Sequence, residues 1–199
     1  MTLLRNLTDI ALDCGTDKAS VHNYTEYYDS LLAPLRHEPI NMVEIGVDGG
    51  ESLRMWSEYF TNPAAKIYGV DIHDKGGNPG RATFILGDAT QPNFIHDLGT
   101  QHGPFDVVVD DGSHFSTQQK ASLRLLWPHV KSGGIFICED CHTSWAYPWT
   151  TPEEVSFVHH MMDWIDGLME KGAGHCGVPT ETDIAEIVFR KSLVIIKKR

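Results

Sequence analysis

The chain lacks any apolar run approaching the ~20 residues that cross a bilayer, and Met1-Thr-Leu-Leu-Arg-Asn6 lacks the long apolar segment of a signal peptide. Neither a membrane span nor export is expected, and the cytoplasm is the expected location. Positive charge is also scarce: 16 Lys and Arg stand against 27 Asp and Glu, a formal net charge of -11. Nucleic-acid binding draws on Lys and Arg to meet phosphates, so no nucleic-acid partner is expected, and Lys197-Lys198-Arg199 reads as a solvated tail. Only four cysteines occur, at positions 14, 138, 141 and 176, and they suggest no disulfide framework in a chain of 199 residues. Cys138 and Cys141 have C-x-x-C spacing, but Cys138 lies inside an apolar run rather than opening a helix, and no second pair completes a zinc site. Repeats, low-complexity segments and linkers are absent too. One globular domain, residues 1–199, is therefore expected, with residues 1–40 as a helical cap.

What is present centres on Phe105-Asp-Val-Val-Val-Asp-Asp-Gly-Ser-His114. A short β-branched run without alternation reads as a strand covered on both faces. Gly112 breaks it, so Asp110, Asp111, Ser113 and His114 gather at its carboxyl end, where open parallel sheets bind ligands. Further on, Gly134-Ile-Phe-Ile-Cys-Glu-Asp140 repeats the design and stops at Glu139 and Asp140. If the two strands are neighbours, several carboxylates and a histidine share one crevice.

Taken in order, Val21, Tyr24, Tyr28, Leu31, Leu32 and Leu35 recur at helical spacing, either as core or as a cofactor-facing stripe. Just before them, Gly15-Thr-Asp-Lys18 and His22 form either a turn with a helix cap or a flap over a site. Strands are expected at 41–47, 66–72, 82–88, 105–110 and 134–140, with helices at 53–60, 92–98 and 116–127 between them. Lys131-Ser-Gly-Gly134 reads as the turn into the fifth strand. Thr151-Pro-Glu-Glu154 predicts a capped helix start, followed by Val155, Val158, Met162, Ile165 and Met169 on one face and stopped at Gly172. Residues 185–197 read as a hairpin turned at Lys-Ser. Strands alternating with helices and then a closing hairpin define a three-layer α/β/α, Rossmann-like fold.

In the first half, Glu44-Ile-Gly-Val-Asp-Gly-Gly50 departs from the G-x-G-x-x-G loop that cradles a pyrophosphate. Glu44 adds negative charge beside the turn, which repels a pyrophosphate but not an ammonium or a sulfonium. Asp71, ending the second strand, is placed to accept from a ribose diol, and Asp88, ending the third, from an adenine amino group. This ordered set resembles the S-adenosylmethionine site of the class I methyltransferases. Glu44, Gly46, Gly50 and Ser52 match the first motif, Asp71 the ribose acid, and Gly87-Asp88 the adenine segment. Asp110 is assigned to the cofactor side or to support of the fold. The resemblance implies a seven-stranded, mostly parallel sheet ordered 3-2-1-4-5-7-6 with strand 7 antiparallel.

In the second half, Val-Asp-Asp-Gly-Ser-His114 with Ile-Cys-Glu-Asp140 resembles the metal-dependent O-methyltransferases of macrolide sugars, as does Gly15-Thr-Asp-Lys18 with His22 and Tyr24. The resemblance implies that Asp111, Glu139 and Asp140 ligate Mg²⁺ and that His114 is the general base. A sugar hydroxyl is too weakly acidic to ionise alone; a hard dication on carboxylate oxygens favours the alkoxide, and an imidazole with a pKa near ~6.5 can take the proton. His142, Trp145, Tyr147 and Trp149 either line the acceptor's path or pack their loop onto the body. The expected activity is S-adenosylmethionine-dependent O-methylation of a small secondary metabolite, by a homo-oligomer. The larger antibiotic-sugar enzymes carry an additional N-terminal domain where this chain has residues 1–40, so the acceptor oxygen stays open among sugar, phenol or catechol, and carboxylate. A metal-independent carboxyl methyltransferase forming methyl esters and a non-catalytic cofactor-binding module remain the alternatives.

Overall fold

A computed structural model describes residues 4–74, 76–169 and 183–199. The chain divides into two compact units, residues 1–88 and 89–199. The seven strands follow the order β3-β2-β1-β4-β5-β7-β6, as expected.

In the first unit, α1 (Leu7–Cys14), α2 (Asp17–Ser20) and α3 (Thr25–Leu32) precede β1 (Asn41–Ile45). Next come α4 (Glu51–Tyr59), β2 (Lys66–Asp71) and β3 (Thr83–Leu86). β2 pairs in parallel with both β1 and β3. Helix α4 forms because Leu53, Met55, Trp56 and Tyr59 all lie on a face that water never reaches. Tyr24, Tyr28 and Leu32 are buried, and the Tyr28 ring lies 5.7 Å from that of Trp56, so these members of the early stripe are core. Leu31 and Leu35 are half-buried, and Val21 is exposed.

In the second unit, α5 (Pro92–His102) runs a turn beyond its expected end. It is followed by β4 (Phe105–Asp110), α6 (Ser116–Leu126), β5 (Val130–Cys138), α7 (Phe157–Met169), β6 (Ile184–Arg190) and β7 (Leu193–Lys198). β4 and β5 are parallel, and β7 runs antiparallel to β5 and β6. Val107, Val108 and Val109 are all buried, so β4 is covered on both faces, as its unalternating sequence demands.

Two expectations in this unit fail, each for a packing reason. Lys131-Ser-Gly-Gly134 lies within β5, as an irregularity between the pairs Phe105–Val130 and Val107–Ile135, rather than preceding it. Helix α7 starts at Phe157, not after Thr151. Glu154 is drawn 3.5 Å from Lys120 Nζ, which also donates to the Val155 carbonyl, and this holds residues 151–155 out of a helix. The working cap is Ser156, whose Oγ accepts from His159 N at 3.3 Å, while Ser116 and Ser144 hydroxyls accept from Phe157 N and Val158 N. The buried face is consequently Phe157, Val158, Met161 and Trp164; Val155 and Met162 are exposed. Gly172, Cys176 and Lys75 lie outside the described residues. Among the described residues, no helix is long and apolar enough to cross a membrane.

Candidate functional site

The first unit holds a buried ion pair. Glu44 sits in β1 with none of its surface exposed. Ser52 Oγ, in the first turn of α4, donates to Glu44 Oε2 at 2.7 Å, and Lys18 Nζ lies 3.3 Å from Oε1. The Lys18 side chain is 1% exposed. Gly15 stops α1 by donating to the Ala11 carbonyl, Thr16 caps α2, and Lys18 then turns inward. The backbone of Gly15-Thr-Asp-Lys18 is therefore a helix stop and cap, and its last side chain is the counter-ion of Glu44. Sequence reasoning missed Lys18 in that role. The available signal was Glu44 itself: an acid in an otherwise apolar strand needs a partner. The pairing also cancels much of the charge that Glu44 alone would place beside the turn.

Asp71 organises that turn. Its Oδ2 accepts from Val47 N at 3.0 Å and Asp48 N at 3.4 Å, and its Oδ1 from His73 N at 2.8 Å. Gly46 and Gly50 adopt φ of 88° and 82°, and at Gly50 a Cβ would meet Pro79 Cγ at 2.6 Å. Both turn positions thus favour glycine. Asp88 is half-buried just beyond β3, after Gly87 N donates to the Asp71 carbonyl at 2.9 Å.

The second unit assembles the acids at the ends of β4 and β5. Asp111, His114 and Asp140 each offer a ligand atom within 4.8 Å of the others, and Asp111 and Glu139 approach within the same limit. His114 Nε2 lies 3.7 Å from Asp140 Oδ2, and His142 Nδ1 lies 3.9 Å from Asp140 Oδ1. Both His114 and Asp140 hold left-handed backbone, with φ of 63° and 52°. Such conformations are uncommon outside glycine and persist where the surroundings impose them. Glu139 is buried, and its N–H donates to the Asp110 carbonyl at 2.9 Å, which ties the two strand ends together. Carboxylate oxygens such as those of Asp111 and Asp140 are the donors that a hard divalent ion takes, so the residues present fit Mg²⁺.

Asp110 faces away from solvent. Burial pushes its carboxyl up to about 7, against the opposing effect of Gly112 N, which donates to Oδ1 at 3.3 Å. Burial likewise raises the Cys138 thiol, reinforced by Cys141. Both thiols are free and buried, which fits inert core cysteines rather than redox chemistry. By contrast, Tyr147 is 80% exposed, whereas Trp145, 66% exposed, sets its ring edge-on to His159 of α7 at 6.1 Å.

A conserved-domain model described as a methyltransferase domain matches residues 43–141, a span that contains every candidate site residue from Glu44 to Asp140. The fold, with acids at successive strand ends, is that of a class I methyltransferase, and the chain belongs to that family. Within it the chain resembles several named O-methyltransferases. It is 34% identical, over 97% of its length, to the 8-demethyl-8-alpha-L-rhamnosyl tetracenomycin-C 2'-O-methyltransferase of Streptomyces olivaceus. It is 38% identical over 63% of its length to the mycinamicin VI 2''-O-methyltransferase of Micromonospora griseorubida. Among solved structures, MycE methyltransferase of the mycinamycin biosynthetic pathway, in complex with Mg, SAH and mycinamycin VI, superposes with a TM-score of 0.87 at 29% identity. The match covers 99% of this chain and 55% of MycE, and 54% of the tetracenomycin enzyme. The chain thus spans about half the length of these relatives.

Proposed function

We propose that the protein is an S-adenosylmethionine-dependent O-methyltransferase that methylates a sugar hydroxyl on a small secondary metabolite, with a divalent ion, Mg²⁺, at the acid cluster. The observation that carries this reading is the convergence of Asp111, His114 and Asp140 within one 4.8 Å cluster. Residues 1–199 act as one domain, and Glu44, Gly46, Gly50, Ser52, Asp71, Asp88 and Asp110 make up its cofactor side. Asp71 accepts from the ribose diol, Asp88 from the adenine amino group, and Glu44 with Ser52 supports the turn against the methionine portion.

Asp111, Glu139 and Asp140 hold the ion, which when bound lowers the pKa of the acceptor hydroxyl and orients its oxygen. His114 receives the hydroxyl proton at Nε2, the ring atom directed at Asp140. The oxygen then attacks the methyl carbon in line with the carbon–sulfur bond, so that an oxygen–methyl bond forms as S-adenosylhomocysteine leaves, and the residues contribute chiefly by alignment. Trp145 and Tyr147 offer exposed faces to the acceptor. The lack of an apolar spanning helix among the described residues is compatible with the cytoplasm.

The test is methyl transfer from labelled S-adenosylmethionine to glycosylated polyketides, phenols and carboxylates, with Mg²⁺ or with EDTA. Label is expected on a sugar hydroxyl, falling about tenfold or more in EDTA and restored by Mg²⁺. Undiminished transfer in EDTA overturns the metal's part, and transfer to carboxylates alone overturns the acceptor class.

A further inference from the structure

The geometry points to Thr143 as a positioning residue for the acid and imidazole cluster. The inference rests on the reading of Asp111, His114 and Asp140 as the reacting site. Thr143 is 3% exposed, in the short 3-10 turn Cys141–Trp145 that follows Asp140. Its Oγ1 lies 3.0 Å from the His114 carbonyl oxygen and 2.9 Å from the Asp140 carbonyl oxygen. One hydroxyl proton is thus shared by, or alternates between, the backbone carbonyls of two residues on different strand ends. Those two residues are the ones that hold left-handed backbone within the cluster, at φ of 63° and 52°.

Without a common partner, each peptide can relax toward ordinary backbone and carry its side chain off target. Thr143 is itself held. Its N–H donates to the Asp140 carbonyl at 3.0 Å, and its carbonyl accepts from Thr150 Oγ1 at 3.2 Å. Thr150 Oγ1 in turn lies 2.6 Å from Ser116 Oγ, which accepts from Phe157 N at 3.0 Å. This line of hydroxyls joins the cluster to the starts of α6 and α7. Thr143 touches no reacting atom; it acts through His114 and Asp140.

The variants Thr143→Val, which keeps shape and loses the hydroxyl, and Thr143→Ser, which keeps the hydroxyl, separate this role from packing. Outer partners of metal ligands change metal affinity or activity by roughly 10–100-fold when removed. T143V is expected to bind Mn²⁺ about tenfold or more weakly by calorimetry and to lose kcat in similar proportion, with S-adenosylhomocysteine affinity unchanged; T143S is expected to recover most of both. Unchanged Mn²⁺ affinity and kcat in T143V overturn the inference, as does a T143S variant as damaged as T143V. If the wild-type protein binds no Mn²⁺, the metal reading fails separately. The positioning role is then decided by a crystal structure of T143V, where unchanged φ at His114 and Asp140 refutes it and a move of either out of the left-handed region supports it. Should T143V not fold, Thr150→Val takes its place: a Mn²⁺ affinity weakened about threefold or more sustains the inference, and a wild-type value overturns it.

Discussion

Acids sit within β1 and just past β4 and β5, and the two settings are built on opposite principles. At β1, Glu44 sits in regular backbone with Lys18 Nζ at 3.3 Å and the Ser52 hydroxyl at 2.7 Å. Just past β4 and β5, Asp111 and Asp140 share a cluster with His114, imidazoles lie 3.7 and 3.9 Å from Asp140, and the backbone is left-handed at His114 and Asp140. The first acid is compensated by a fixed ammonium, so it serves as architecture. The second group gathers acceptor oxygens beside imidazoles, the arrangement that the proposed function reads as a cation site. Acidity at a strand end therefore says little by itself; what matters is whether the fold supplies the opposite charge.

That contrast can be broken by experiment. The largest effect belongs to His114→Ala, which is expected to slow kcat by about 10²–10⁴-fold while leaving the melting temperature and cofactor affinity near wild type. A near-wild-type kcat would return His114 to the status of a loop residue. Lys18→Met should do the reverse. It strands the Glu44 carboxylate in the interior and is expected to cost about 3–5 kcal/mol in urea unfolding. The double variant Lys18→Met/Glu44→Gln should recover much of that loss, because the buried charge goes with its partner. Unfolding of Lys18→Met at the wild-type midpoint would mean that the pair is not structural.

Asp71→Ala sharpens the comparison with a smaller effect. It removes a carboxylate that three backbone N–H groups of the turn region donate to. Cofactor binding is expected to weaken by about 1.5–3 kcal/mol, read by calorimetry with S-adenosylhomocysteine. An unaltered affinity would separate the turn from the cofactor.

The strands and the closing hairpin were legible because their apolar runs are short, dense and bounded by glycine or acid. The hairpin's Lys191-Ser192 turn joins Arg190 to Leu193 as its sequence suggests. The start of α7 was misread because Thr151-Pro-Glu-Glu154 is a good local cap, and local chemistry lost to Lys120, which takes Glu154 and the Val155 carbonyl. The buried stripe of α7 was misplaced for a related reason. Two candidate faces fit the spacing, and the one bearing Phe157 and Trp164 removes more apolar surface from water. Lys18 and Thr143 were beyond pattern reading, since each acts on residues distant in sequence.

By itself the sequence determined the strand and helix alternation, the glycine turn after β1, and the placement of acids where strands stop, because these depend on periodicity and on breaks within a few neighbours. Tertiary structure alone decided which acid is neutralised and which are gathered, where α7 begins, and which hydroxyl spans His114 and Asp140. Those outcomes depend on distances between segments far apart along the chain, and burial sets how strongly each charge or unpaired polar group weighs.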